Sequence, residues 1–257
     1  DKSIKATAST DGVIKFTCDK CGSSASLVVP KLTLDAFVLS PESQKDIENG
    51  VVYNGGEYTI IYDVASNFRR FVGTELNNNV HITDCGSYHV IITIDNGCYD
   101  RVELEGTDIL TVRPKPVTPP SSDMFSGKVY DGTSLLDGKS FSYEDVNGDD
   151  INVPMSVYAV SFNGTSMTVD ESTPVADPSP AGVYAVSFVI TDQNYCWDVE
   201  DAESGKTYTR YNLIAYVFPK ADPIYVGDAE ADIKLTSGGS TLYTVSVVPN
   251  QGGFDSS

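Results

Sequence analysis

The sequence predicts an all-β protein, and three observations carry that expectation. Apolar and polar residues alternate with period two along several runs, those runs are rich in β-branched and aromatic residues, and Asx-Gly pairs fall between them. Tyr88-His-Val-Ile-Ile-Thr-Ile94, Tyr184-Ala-Val-Ser-Phe-Val-Ile190 and Thr244-Val-Ser-Val-Val248 show the alternation most clearly. Helical periodicity is nearly absent. Short strands punctuated in this way point to a sandwich or barrel.

In chain order, the first departure from strand character is Ser40-Pro-Glu-Ser-Gln-Lys-Asp-Ile47, where a Ser N-cap precedes Pro at the first helical position and Asn49-Gly50 ends a short helix. Asn54-Gly55, Asp95-Asn96-Gly97, Asp131-Gly132, Asp137-Gly138, Asn147-Gly148 and Asn163-Gly164 are turn signals. Val112-Arg-Pro-Lys-Pro-Val-Thr-Pro-Pro-Ser-Ser122 reads as a stiff, extended connector, because its clustered prolines lack the donors that a sheet interior needs. Phe218-Pro-Lys-Ala-Asp-Pro223 is a weaker boundary. The resulting division is a β module over residues 1–112 with an N-terminal extension at 1–49, a linker at 113–121, a second module at 122–222, and a C-terminal β extension or start of a further module at 223–257.

The two halves carry an internal repeat. The first holds Val52-Tyr53-Asn54-Gly55, Gly86-Ser-Tyr88 before an apolar strand, and Ile109-Leu-Thr-Val-Arg-Pro-Lys115. The second holds Val129-Tyr130-Asp131-Gly132-Thr133, Gly182-Val-Tyr184 before an apolar strand, and Leu213-Ile-Ala-Tyr-Val-Phe-Pro-Lys220. The order is kept while the intervals vary, as when strands persist and loops change. Tyr130-Asp-Gly-Thr133, Ala181-Gly-Val-Tyr-Ala-Val186 and Val217-Phe-Pro-Lys220 are together similar to the MBG-type repeats of large bacterial cell-surface proteins. Asn194-Tyr-Cys-Trp197 and Tyr211-Asn-Leu-Ile-Ala-Tyr216 also resemble tandem immunoglobulin-like modules on Gram-positive gut bacteria. The likeness covers about residues 50–222, and residues 1–49 depart from it. It implies immunoglobulin-like sandwiches acting as stalks, spacers or binding units in adhesins and polysaccharide-handling surface systems, in an extracellular setting.

Composition narrows the function classes. Among 257 residues, 17 Lys and Arg stand against 36 Asp and Glu, a formal charge of −19. That balance disfavours nucleic acid and anionic lipid as partners, because both need a basic surface. No apolar run has the length of a membrane span, so direct membrane insertion is not expected. The opening at Asp1, without Met or a signal-like segment, reads as a piece of a larger protein, any signal peptide having been removed or left out. Only His81 and His89 are available for imidazole chemistry.

Candidate sites are few. Cys18-Asp-Lys-Cys21-Gly22 has the spacing of a zinc knuckle, and with Cys85 and Cys98 it supplies four thiols for a structural zinc. Disulfides between Cys85 and Cys98 or between Cys18 and Cys21 are the rival, and free thiols, Cys196 among them, are the third reading. Glu144-Asp-Val-Asn-Gly-Asp-Asp150 clusters oxygens as calcium favours, although it breaks the EF-hand pattern and also reads as a hairpin turn with solvated acids. Asp198, Glu200, Asp201 and Glu203 form a second acidic cluster. Tyr195, Trp197, Tyr208 and Tyr211 are candidates for a sugar-stacking platform, although Trp197 reads first as a plug of the sandwich core and only second as part of that platform. No catalytic motif is present, His89 fits a structural position on an alternating strand, and no cofactor is required.

These features lead to a non-catalytic adhesin or stalk segment of a secreted bacterial cell-surface protein. The alternative is a carbohydrate-binding module that takes polysaccharide, or a host surface glycan or protein, as its partner.

Overall fold

The computed structural model describes residues 3–125, 127–164, 166–175, 180–199 and 208–220, together with the backbone of Ala221, Ala231–Ser237 and Ser240–Val247. The chain separates into two units. Asp1–Lys115 with Gln193–Tyr195 forms the first, and Pro116–Asp192 with Cys196–Ser257 the second. The described residues are mostly strand, so the protein is all-β.

Unit 1 begins with a hairpin of β1 (Gly12–Thr17) and β2 (Ser24–Val29). It continues through β3 (Phe37–Leu39), α1 (Pro41–Asn49), β4 (Val51–Val52), β5 (Glu57–Val64), α2 (Arg69–Val72), β6 (Glu75–His81), β7 (Gly86–Ile94) and β8 (Val102–Arg113). Two three-stranded sheets result, ordered β3-β5-β6 and β4-β8-β7. Alternation sets their inner faces. Tyr58, Ile60, Tyr62 and Val64 of β5 and Val90, Ile92 and Ile94 of β7 are buried in one hydrophobic cluster, with Val102, Leu104, Leu110 and Val112 of β8. Buried Asn78 on β6 donates to Ile91 O on β7 at 3.0 Å, so its amide is satisfied while it bonds one sheet to the other.

The short helix forms where the sequence expects it and runs two residues further. Ser40 Oγ accepts from Ser43 N at 3.2 Å, Pro41 fills the first turn, and Gly50 ends the helix at φ 71°. Buried Ser43 ties α1 to the sheet, its hydroxyl accepting from Ile61 N at 2.8 Å. The expected N-terminal extension is in part built into unit 1: Ala6, Val29, Leu32 and Ala36 lie in its core, and β3 pairs with β5.

The Pro-rich stretch also differs from a bare connector. β9 (Lys115–Val117) lies within it and is paired with a later strand, β16 (Tyr195–Trp197). Pro114 and Pro116 lack donors, so the bonds run through the residues between and after them. Lys115 N donates to Asn194 O and Val117 O accepts from Asp198 N, each at 2.8 Å.

In unit 2, β10 (Lys128–Val129), the hairpin β11 (Ser142–Glu144) and β12 (Asp150–Asn152), β13 (Met155–Asn163), β14 (Ser166–Val169), β15 (Gly182–Val189) and β17 (Arg210–Phe218) are followed by β18 (Lys220–Ala221), β19 (Ala231–Ser237) and β20 (Ser240–Val247). A five-stranded sheet has the order β10-β17-β15-β13-β14, and β18-β19-β20 form a separate one. The expected strand at 244–248 falls within β20 except for Val248, which lies outside the described residues. Five consecutive residues of β15, Tyr184–Phe188, are buried, as befits a strand covered on both faces.

Equivalent residues do equivalent work in the two units. In unit 1 the short β4 runs parallel to the end of β8, pairing Val51 with Val112 and Val52 with Arg113, and Tyr53 N donates to Arg113 O at 2.9 Å. In unit 2 the short β10 runs parallel to the end of β17, pairing Lys128 with Val217 and Val129 with Phe218, and Tyr130 N donates to Phe218 O at 2.8 Å. An antiparallel neighbour flanks that long strand in both, β7 beside β8 and β15 beside β17, with Gly86 opposite Val112 and Gly182 opposite Val217. Tyr88 and Tyr184 each turn a hydroxyl back to the carbonyl four residues upstream, Asp84 O and Pro180 O, both at 2.8 Å. The Asx residues match too: Asn54 Oδ1 accepts from Gly56 N, and Asp131 Oδ1 from Thr133 N.

Candidate functional site

Cys18 and Cys21 stand at the tip of the β1–β2 hairpin, both exposed. Cys18 N donates to Ser23 O, and Gly22 N to Cys18 O, each at 2.8 Å, which closes the turn. The Cys21 thiol donates to Ser23 Oγ at 3.3 Å. Hydrogen bonds from the Ser23 hydroxyl and backbone, and from Cys18, lower the Cys21 thiol from 9.0 to about 7.

The second cysteine pair lies elsewhere in unit 1. Cys85 precedes β7 and Cys98 follows it, both half-buried, and Cys98 O accepts from Ala6 N at 2.9 Å. At about 3.3 Å per residue, the six residues of β1 carry the hairpin tip away from Gly12, which packs on Ile4 and Ala6. The hairpin thus keeps Cys18 and Cys21 from converging on the other pair. Among the described residues no group of three or more His, Cys, Asp and Glu side chains is placed to hold a metal ion.

The aromatic candidates divide between the units and face inward. Trp197 is 2% exposed in unit 2, where its indole N–H donates to Thr209 O at 3.1 Å. Its ring lies 5.7 Å from Phe141 and 5.9 Å from Tyr211, and Phe141 in turn meets Phe188 edge-on at 5.8 Å. Tyr195, also 2% exposed, belongs to unit 1 and meets Tyr53 edge-on at 5.9 Å. Tyr208 and Tyr211 are half-buried, and Tyr208 O accepts from Trp197 N at 2.7 Å. The expected platform residues are thus divided between the two units, with Tyr195 and Trp197 buried and Tyr208 and Tyr211 half-buried, as aromatic surface of this size gains from packing against other rings.

The acidic turn is occupied by its own backbone. Asp145 Oδ1 accepts from Asn147 N at 2.7 Å and from Asp149 N at 2.9 Å, and these donors, that of Asp149 first, hold its carboxyl below the usual 3.8. Gly148 sits at φ 87°, and the loop joins β11 to β12 as an Asx-Gly hairpin. Asp198 is exposed, while Glu200, Asp201 and Glu203 lie outside the described residues. His81 and His89 are exposed on β6 and β7.

One aromatic pair escaped the sequence reading. Tyr216 and Phe218 on β17 are about half exposed, and their rings stack 6.5 Å apart at an interplanar angle of 13°. Leu213, Ala215 and Val217 point inward, so the alternation that buries them turns Tyr216 and Phe218 outward. Exposed Val129 stands opposite Phe218 and Val183 opposite Tyr216. The pair borders a shallow groove of about 240 Å³ lined also by Ala181, Gly182 and Pro219. The sequence carries no signal for this face, because Leu213–Phe218 is an unbroken apolar run.

No protein-family model, curated protein or solved structure matches this chain.

Proposed function

We propose that the protein is a non-catalytic segment of a secreted bacterial cell-surface protein, built from tandem immunoglobulin-like β-sandwich modules of the MBG type and serving as an adhesin or stalk. The observation that carries this reading is the recurrence in both units of a short strand parallel to the end of a long one, whose antiparallel neighbour opens with a Gly-x-Tyr corner. A tyrosine hydroxyl bonded to backbone just upstream is a mark of immunoglobulin-like sandwiches. In unit 1 the two sheets enclose one core, as a sandwich requires. Modules of this kind project a binding end by their own stiffness, and the −19 charge keeps such a surface solvated.

A second reading, a polysaccharide-binding module, is favoured by the stacked and exposed Tyr216–Phe218 pair, since sugars dock their apolar faces on aromatic rings. The equivalent positions of β8 in unit 1 are Thr111 and Arg113, so this reading assigns glycan binding to unit 2 alone. Native gel electrophoresis of the full chain through a panel of soluble polysaccharides separates the two readings. The stalk reading expects unchanged mobility in every gel. Retardation that Tyr216→Ala and Phe218→Ala abolish, in proteins with unchanged circular dichroism, replaces it with the binding module.

A further inference from the structure

The β1–β2 hairpin carries chemistry that a stalk does not use. Every side chain from Lys15 to Ser26 is exposed, so the outer half of the hairpin stands clear of the unit 1 core. Its turn gathers Cys18 and Cys21 into one closed loop, with Gly22 at φ 68° and nothing within 4 Å of the place a Cβ would occupy. The Ser23 hydroxyl lies 3.3 Å from Cys21 Sγ. It accepts from the thiol, and after ionisation it can rotate to donate to the thiolate. The charged side chains on this half of the hairpin are Lys15, Asp19 and Lys20.

We propose that Cys18 and Cys21 form a thiol–disulfide exchange site that reduces small-molecule disulfides. The Cys21 thiolate attacks one sulfur of an external disulfide RS–SR, forming a Cys21–S–S–R bond as the S–S bond of the substrate breaks and one RS⁻ leaves. The Cys18 thiol then loses its proton to solvent and attacks Cys21 Sγ, which expels the second RS⁻ and leaves a Cys18–Cys21 disulfide. The protein gives up two electrons and two protons, and the external disulfide, the oxidant, becomes two thiols. Cys21, lowered to about 7 by its neighbours, is the natural first nucleophile at neutral pH. Exposure admits the substrate, and placement on one turn brings the resolving thiol within reach.

The test treats the full chain with glutathione disulfide at pH 7, blocks the remaining thiols, and maps each cysteine by peptide mass spectrometry. The expected product is an intramolecular Cys18–Cys21 disulfide with two glutathiones released per chain. Cys18→Ser should trap glutathione on Cys21, and Cys21→Ser should form no intramolecular bond. In wild-type protein the rate of Cys21 alkylation should rise with a midpoint near pH 7, and Ser23→Ala should move that midpoint upward. All three substitutions lie at an exposed tip, and circular dichroism verifies that each variant is folded. Persistent thiols, a stable glutathione adduct on wild-type Cys21, or a midpoint that Ser23→Ala leaves in place would each overturn the proposal.

Discussion

Tyr88 and Tyr184 illustrate what single side chains contribute to the repeat. Each hydroxyl spans one corner of its module, and burial raises the Tyr184 phenol above its ordinary value. Replacing Tyr184 by Phe removes one hydrogen bond and keeps the ring. The expected loss is about 1 kcal/mol, read as a lower urea midpoint with an unchanged m-value. Asp131 gives unit 2 a pH dependence that its counterpart Asn54 cannot give unit 1. The Thr133 N–H, then the Thr133 hydroxyl, then Lys128, hold its carboxyl at about 2 against an ordinary 3.8. A carboxyl depressed in the folded state stabilises above its unfolded pKa, and that contribution is lost as pH falls through the folded value. Thermal melts followed between about pH 4 and pH 2 should therefore show unit 2 losing stability over that window, and Asp131→Asn should flatten the slope there. At Cys196 the sign is opposite to Cys21: burial, then the charge of Asp198, raises its thiol, so it should alkylate more slowly than Cys21 at neutral pH.

Among the elements, α1 was legible because its signals are local: an N-cap Ser, a Pro at the first position and a terminating Gly. Ser40→Ala should cost about 1 kcal/mol in chemical denaturation by freeing the Ser43 N–H. Turn chemistry was legible in part. Asn147-Gly148 and Asn163-Gly164 do join paired strands, β11 to β12 and β13 to β14. Asp131-Gly132 and Asp137-Gly138 instead close loops, because the same positive φ serves either purpose and only the flanking pairing decides. At Gly164, φ is 64° and no atom lies within 4 Å of a Cβ position, so Gly164→Ala isolates backbone strain and should cost about 1 kcal/mol in the same assay. Pairing with β16 was illegible in the Pro-rich stretch, because which carbonyls a Pro-flanked residue meets is set by segments distant in sequence. The burial of Trp197 agrees with the core role read for it in the sequence, whereas that of Tyr195 depends on the distant Tyr53, and the unbroken apolar run Leu213–Phe218 does not mark which face Tyr216 and Phe218 take.

For the whole molecule, the repeat is legible in the sequence because its anchors are the residues that the backbone arrangement depends on. Val52-Tyr53 and Val129-Tyr130 supply the parallel edge, Gly86 and Gly182 admit the tyrosine rings that fold back over them, and Arg113-Pro114 and Phe218-Pro219 end β8 and β17 where donors cease. The fit of residues 3–39 to unit 1 was not readable, since Ala6, Leu32 and Ala36 are buried by contacts that no local pattern announces. The claim on which the proposed function rests is that the two units are copies of one module. Through-hydrogen-bond scalar couplings in labelled full-length protein test it most directly, by detecting N–H to carbonyl links one at a time. The account predicts a coupling from Tyr53 N to the Arg113 carbonyl and another from Tyr130 N to the Phe218 carbonyl. Finding one without the other, or finding either tyrosine bonded in an antiparallel register, would contradict it.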